Sequence, residues 1–233
     1  EALRIARELG CPWDVRVYAR AAERNRYRLM QWAYENGCPT CAADVFTDCE
    51  AMDQFLDSGR PLQDLEGPVW EDQTCLVAAA SGHVEALQWA LAHRFQYQRN
   101  GYSVICTRAA TGGHLAVLRC LRAQNPPCPW EVYTCAQASA GGHLEVLQWL
   151  RAQDPPCPWD CYVTGFAMTG GHIEVLRWAH AHGAPLRGHS ILWYLARGHI
   201  EVLQWVHALG VPWDEDTNYV YSNAAHTSRL DIM

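Results

Sequence analysis

Lysine is absent from this 233-residue chain; all 18 of its basic residues are Arg. Such a chain offers no side-chain amine for acetylation or ubiquitin attachment, although a GC-rich coding sequence produces the same bias. No run approaches the roughly 20 apolar residues that cross a bilayer, and residues 1–10 lack the basic, apolar and small-residue order of a secretory leader. These absences argue against membrane insertion and export. Positive charge is also short: 25 acidic residues leave a net charge of −7. That opposes nucleic-acid binding, which scales with the phosphates neutralised, even though Arg4, Arg7, Arg16, Arg20, Arg24, Arg26 and Arg28 crowd one end. Eleven cysteines cannot close a complete intramolecular disulfide framework, so the cytoplasm or nucleus is the expected setting. No nucleophile elbow, phosphate loop or His-Glu-x-x-His zinc helix occurs, and the expectation is a protein without catalytic residues or cofactor.

What the chain does contain is a repeat. Gly-His recurs at Gly82-His83, Gly113-His114, Gly142-His143, Gly171-His172 and Gly198-His199, with His spacings of 31, 29, 29 and 27. Six residues after each His comes Trp89, Cys120, Trp149, Trp178 or Trp205; thirteen before it comes Trp70, Gly101, Trp130, Trp159 or Leu186. The same ruler reaches Arg26, between Trp13 and Trp32, and His226 after Trp213. Residues 1–10 match 174–183, so the chain is expected to begin and end inside a unit, as a fragment of a longer protein.

Each unit reads as two short helices. Glu145, Val146, Leu147, Trp149 and Leu150 give a broad apolar helical face, after an Ala-rich run from Tyr133 to Ala140. Asp14, Glu131, Asp160 and Asp214 sit where a first helix starts and can cap its free N–H groups. Gly before His supplies the left-handed turn between the helices. Pro129-Trp130, Pro158-Trp159 and Pro212-Trp213 mark extended links to the next pair. A pair of this size cannot bury its own apolar face and must stack on neighbours. The repeated Trp32, Trp89, Trp149, Trp178 and Trp205 read as core.

These features resemble the ankyrin repeats: the stretch from Ala140 through Gly142-His143-Leu144-Glu145-Val146-Leu147 to Leu150 is similar to that family's second-helix signature. The Cys-Pro-Trp-Asp variant at Cys11 to Asp14 and Cys157 to Asp160 is similar to the divergent arrays of giant DNA viruses and protists. The family's Thr-Pro-Leu-His opening is absent, and a 27–29-residue unit is shorter than the usual 33. The resemblance implies an all-α helix-pair solenoid with shortened fingers, spanning 1–233 as a single array. About seven complete units are expected, with partial ones at both ends and a degenerate repeat with a long link at about 41–69. Asp44 to Asp72 carries nine acidic residues and one Arg; it reads either as a solvated, partly degenerate repeat or as a docking element for a basic partner.

The cysteines admit a metal or redox reading, because Cys38 and Cys41 have the gap of a zinc knuckle and Cys157 lies near Cys161. Repeat phase accounts for them more simply. Cys11, Cys38, Cys128 and Cys157 precede Pro; Cys75, Cys106 and Cys135 stand eight residues before the repeat His, where a small group packs between helices. No metal site is expected. The Gly-His imidazoles imply a repeated structural hydrogen bond, and His180, His182 and His189 read as exposed helix-end residues.

Variation between units suggests where a partner binds. Eight residues after the link Trp the slot is Ala21, Ala78, Ala109, Ala138 and Ala167, as close packing demands. Three and seven residues after it the identities scatter: Arg16 and Arg20, Gln73 and Val77, Val104 and Arg108, Tyr133 and Gln137, Tyr162 and Phe166, His189 and Trp193, Asp216 and Val220. A spacing of four puts each pair on one helical face, which the resemblance implies is concave. The expected contact residues are Arg16, Arg20, Gln73, Arg108, Tyr133, Gln137, Tyr162, Phe166, His189 and Trp193. The aromatic ones form the energetic centre, except that Phe166 and Trp193 also suit packing between repeats. The functional expectation is a non-catalytic scaffold recognising a protein partner of unknown identity, with no nucleic acid and no membrane, self-association being open. The alternatives are a substrate-recruiting ubiquitin-ligase adaptor with an F-box outside the segment, as similar viral arrays carry, and a Cys-based metal or redox module.

Overall fold

The computed structural model describes residues 2–11, 13, 16–38, 73–93, 101–186 and 199–210, and every regular element among them is an α-helix. The chain divides into two compact units, Glu1–Gly101 and Tyr102–Met233. The first contains α1 (Ala2–Glu8), α2 (Arg16–Glu23), α3 (Tyr27–Glu35), α4 (Thr74–Ala80) and α5 (Val84–Ala92). The second is built from α6 (Gly101–Thr111), α7 (Leu115–Arg122), α8 (Val132–Ala140), α9 (Leu144–Arg151), α10 (Cys161–Gly170), α11 (Ile173–Ala181) and α12 (Ile200–Ala208).

Helix pairs form as the periodicity demands. In α9, Val146, Leu147 and Leu150 are buried while Glu145 and Gln148 face water. Full burial of a Leu such as Leu147 contributes about 1.5–3 kcal/mol. First helices need a small residue at closest approach, and Ala21, Ala78, Ala109, Ala138 and Ala167 are all buried. The Asp160 carboxylate accepts the Tyr162 N–H at 2.8 Å and starts α10, as expected of an acidic first-helix cap. At α8, the Glu131 N–H donates to Thr134 Oγ1 at 3.3 Å. Asp14 and Asp214 lie outside the described residues.

The turn inside each pair explains the Gly. Gly142 has φ +74, and a Cβ there would lie 2.5 Å from Nδ1 of His172 in the following pair. Both the left-handed backbone and the neighbouring ring therefore exclude a side chain. Asn25 takes the same place between α2 and α3 with φ 52, in keeping with Asn as the residue after Gly that best tolerates this region.

In the first unit α2 packs directly on α4. His83 Nε2–H donates to the Glu23 carbonyl at 3.1 Å, 60 residues away in sequence. The expected degenerate repeat at about 41–69 lies outside the described residues, but the helix pairs on either side of it are nearest neighbours.

Links between pairs are held from two sides. From the first helix, a donor eight residues before the His slot reaches the following link: Tyr18 Oη to the Cys38 carbonyl at 2.8 Å, Cys135 Sγ to that of Cys157 at 3.8 Å, and Thr164 Oγ1 to that of Pro185 at 2.8 Å. From the second helix, Arg7, Arg122 and Arg151 donate to the carbonyls of Cys11, Cys128 and Cys157 at 3.1, 3.5 and 2.6 Å. The same guanidiniums lie 5.1, 4.1 and 4.1 Å from the ring centroids of Trp13, Trp130 and Trp159.

The second-helix Trp is not core. Trp32, Trp89, Trp149, Trp178 and Trp205 are all half-buried. The core stripe is carried by Met30 and Ala33, Leu87 and Ala90, Leu147 and Leu150, or Leu176 and Ala179. The Trp slot lies on the flank of that stripe, where a large ring keeps one edge in and one edge out. There it meets the link Trp edge to face: Trp13 with Trp32 at 5.9 Å, and Trp130 with Trp149 and Trp159 with Trp178 at 6.0 Å.

Candidate protein-interaction face

The described variable slots fall on the first helices or just before them, and within each unit first helices pack on one another. In the second unit α8 packs on α10, and Thr107 Oγ1 of α6 lies 3.3 Å from Thr134 Oγ1 of α8. Three residues after the link position, Val104, Tyr133 and Tyr162 expose 38, 51 and 39% of their surface. The Tyr133 and Tyr162 rings stack with centroids 5.8 Å apart, and Tyr162 meets Phe166 of its own helix at 5.8 Å. Arg108 is exposed beside them, and Gln137 and Phe166 are half-buried. Five expected contact residues are thus brought to these three helices; His189 and Trp193 lie outside the described residues. In the first unit Arg16, Arg20 and Gln73 are exposed, Arg16 and Arg20 on α2 and Gln73 just before α4. Arg20 forms an ion pair with Glu23 at 3.1 Å.

The neighbouring chemistry is structural. His143 donates from Nε2–H to the Thr111 carbonyl, His172 to that of Ala140 and His199 to that of Thr169, each at 3.0 Å. His93 and His182 do the same from Nδ1–H to the carbonyls of Trp89 and Trp178 at 2.8 Å, and stack on those indoles. Cys106, Cys128, Cys135 and Cys157 are buried. Hydrogen bonding with Cys128 that favours the neutral thiol, and then burial, push the Cys106 thiol well above the usual cysteine range; hydrogen bonding with Cys135 and then burial do so for Cys157. Such thiols stay protonated at neutral pH and are poor nucleophiles and ligands. Among the described residues no group of three or more His, Cys, Asp or Glu is placed to hold a metal ion, and no described helix is long and apolar enough to cross a membrane.

Neither a protein-family model nor a curated protein matches this sequence. The surface therefore has to be read from its own chemistry. Two aromatic rings of different helices stacked on each other while still exposed, in slots that vary between units, form a patch that repeat packing does not require. The half-exposed Trp pairs with their Arg were missed in the sequence, because an apolar residue at helical spacing reads as core. Their signal is the joint occurrence of Arg and Trp: Arg7 with Trp13, Arg122 with Trp130 and Arg151 with Trp159, against His180 with Leu186.

Proposed function

We propose that the chain is a non-catalytic scaffold, an array of ankyrin-like helix pairs with shortened fingers, whose first-helix faces bind a partner protein. One observation carries this reading: the exposed, stacked Tyr133–Tyr162 pair, flanked by Val104, Arg108, Gln137 and Phe166. Large rings held rigid by stacking bury much area at low entropic cost, and Tyr and Arg are enriched among interface hot spots. The resemblance to ankyrin repeats supports the assignment of the first helices to a concave contact face. The protonated, packed thiols weigh against the metal or redox alternative. The adaptor alternative depends on a domain outside this segment.

The test is affinity capture from cell lysate with the wild-type chain and with Tyr133→Ala/Tyr162→Ala, after circular dichroism shows equal helicity. The captured protein is then purified and titrated against both. Loss of about 2 kcal/mol or more in the double variant is expected for a hot-spot pair. Equal affinity for both chains would reject the aromatic face as the site.

A further inference from the structure

The first unit carries a second kind of surface. The guanidiniums of Arg16, Arg20, Arg24 and Arg26 rim an open cavity of ≈ 460 Å3 whose floor is Val17, Ala21 and Leu29. All four Arg are exposed. Arg20 forms an ion pair with Glu23; Arg24 and Arg26 have no acidic partner among the described residues. In the second unit the corresponding slots hold Val104, Arg108, Gly112 and His114, or Tyr133, Gln137, Gly141 and His143, or Tyr162, Phe166, Gly170 and His172. All four slots are Arg here, against at most one in each pair of the second unit, in a chain whose net charge is −7. A second cavity of this unit, ≈ 510 Å3, mixes Arg4 and Arg7 with Glu8, and Arg7 is committed to the Cys11 carbonyl and the Trp13 ring. It has no comparable surplus of positive charge.

We infer that the Arg16–Arg20–Arg24–Arg26 cavity binds an acidic segment of a partner protein. The inference rests on the reading of the first-helix faces as a contact surface and adds the partner's chemistry for this unit. Arg24 and Arg26, exposed in the turn after α2, offer two guanidiniums at the cavity to the carboxylates of an extended acidic peptide. Guanidinium forks grip carboxylates with two parallel hydrogen bonds. The aliphatic floor gives the methylene groups of Glu an apolar surface. Nucleic acid is served less well: among the described residues no aromatic ring lines the cavity for base stacking, and four charges around one concavity do not make the continuous track that a phosphate backbone follows.

The experiment is fluorescence anisotropy of a labelled oligoglutamate peptide with the full chain at low ionic strength. Arg24→Gln/Arg26→Gln is the test variant, and Arg24→Lys/Arg26→Lys retains the charge. Expected are saturable binding that weakens with salt, about tenfold loss in the Gln variant and a smaller loss in the Lys variant. Absence of binding, equal binding by the Gln variant, or tighter binding of a single-stranded oligonucleotide than of the peptide would each overturn the inference. Tyr133→Ala/Tyr162→Ala is expected to bind the peptide as wild type does. If the peptide fails while partner capture still depends on those tyrosines, this inference falls alone. If the peptide binds as expected while no tyrosine-dependent capture occurs, the aromatic reading falls and this inference stands.

Discussion

His172 donates its Nε2–H to the carbonyl of Ala140 at 3.0 Å, bridging the turn inside one helix pair and the end of the first helix in the pair before. The ring is seated between two glycines: a Cβ on Gly142 would come within 2.5 Å of its Nδ1, and one on Gly170 within 2.5 Å of its Cδ2. The Gly-Gly-His triplet is thus half of a joint, completed by the Gly of the preceding unit.

His172→Ala is expected to destabilise the protein by about 1–3 kcal/mol, since it leaves a part-buried carbonyl without its donor. Gly142→Ala is expected to cost more than 1 kcal/mol, from its left-handed φ and from displacement of the ring. The double variant should cost less than the sum, because removing the ring frees the space of the new methyl while the backbone strain stays. Urea unfolding of the four proteins measures this; strict additivity would refute the seat.

Tyr18→Phe removes one oxygen that binds the Cys38 carbonyl at 2.8 Å in a buried setting. A loss of about 1–3 kcal/mol is expected. A Thr164→Ser variant keeps the hydroxyl that meets the Pro185 carbonyl, whereas Thr164→Val removes it; the Val variant should melt at lower temperature than the Ser variant. The reverse order would show that these side chains act through packing alone.

Arg151→Lys is not conservative. The guanidinium stacks on Trp159 and donates to the Cys157 carbonyl at once, which a single ammonium cannot copy. A cost of about 0.5–2 kcal/mol is expected, nearly as large as for Arg151→Ala, with a change in Trp fluorescence. Full retention of stability in the Lys variant would contradict the clamp.

Glu85 sets a pH dependence. A hydrogen bond to its own backbone lowers its carboxyl below the ordinary value of 4.5, and the amide of Asn25, 3.2 Å away, adds to this. A carboxyl lowered on folding contributes stability above its unfolded value, and that contribution is lost as pH falls through the folded one. Stability should therefore decline below about pH 4.5. Asn25→Gly keeps the left-handed turn while removing the amide, and is expected to shallow that decline. Unfolding free energies across this range decide it; identical slopes would exclude the contact.

Most of the helix framework was legible because its signals are local or strictly periodic: Gly at the left-handed turn, Ala at closest approach, His at the joint. The Trp slot was misread because spacing reports which face a residue occupies, not whether its ring fits beneath the neighbours. The guanidinium over Trp159 lies eight residues from it in sequence, and the Asp154 to Pro158 link that brings them together has no helical period to read. At the candidate face, variation between units pointed to Tyr133 and Tyr162, yet only the structure brings the two rings into contact. The Arg cavity was visible as charge crowding but not as a concavity, because Val17, Ala21 and Leu29 become a floor only when α2 and α3 fold together.

The joint between His83 and Glu23 spans 60 residues, while those of His172 and His199 span 32 and 30, yet the bond lengths differ by 0.1 Å. Registration is therefore written into the mating surfaces and is indifferent to the length of chain that connects them. A backbone cut between α3 and α4 should leave two fragments that still recognise each other, so this point suits a split-reporter design in which noncovalent reassembly is the signal.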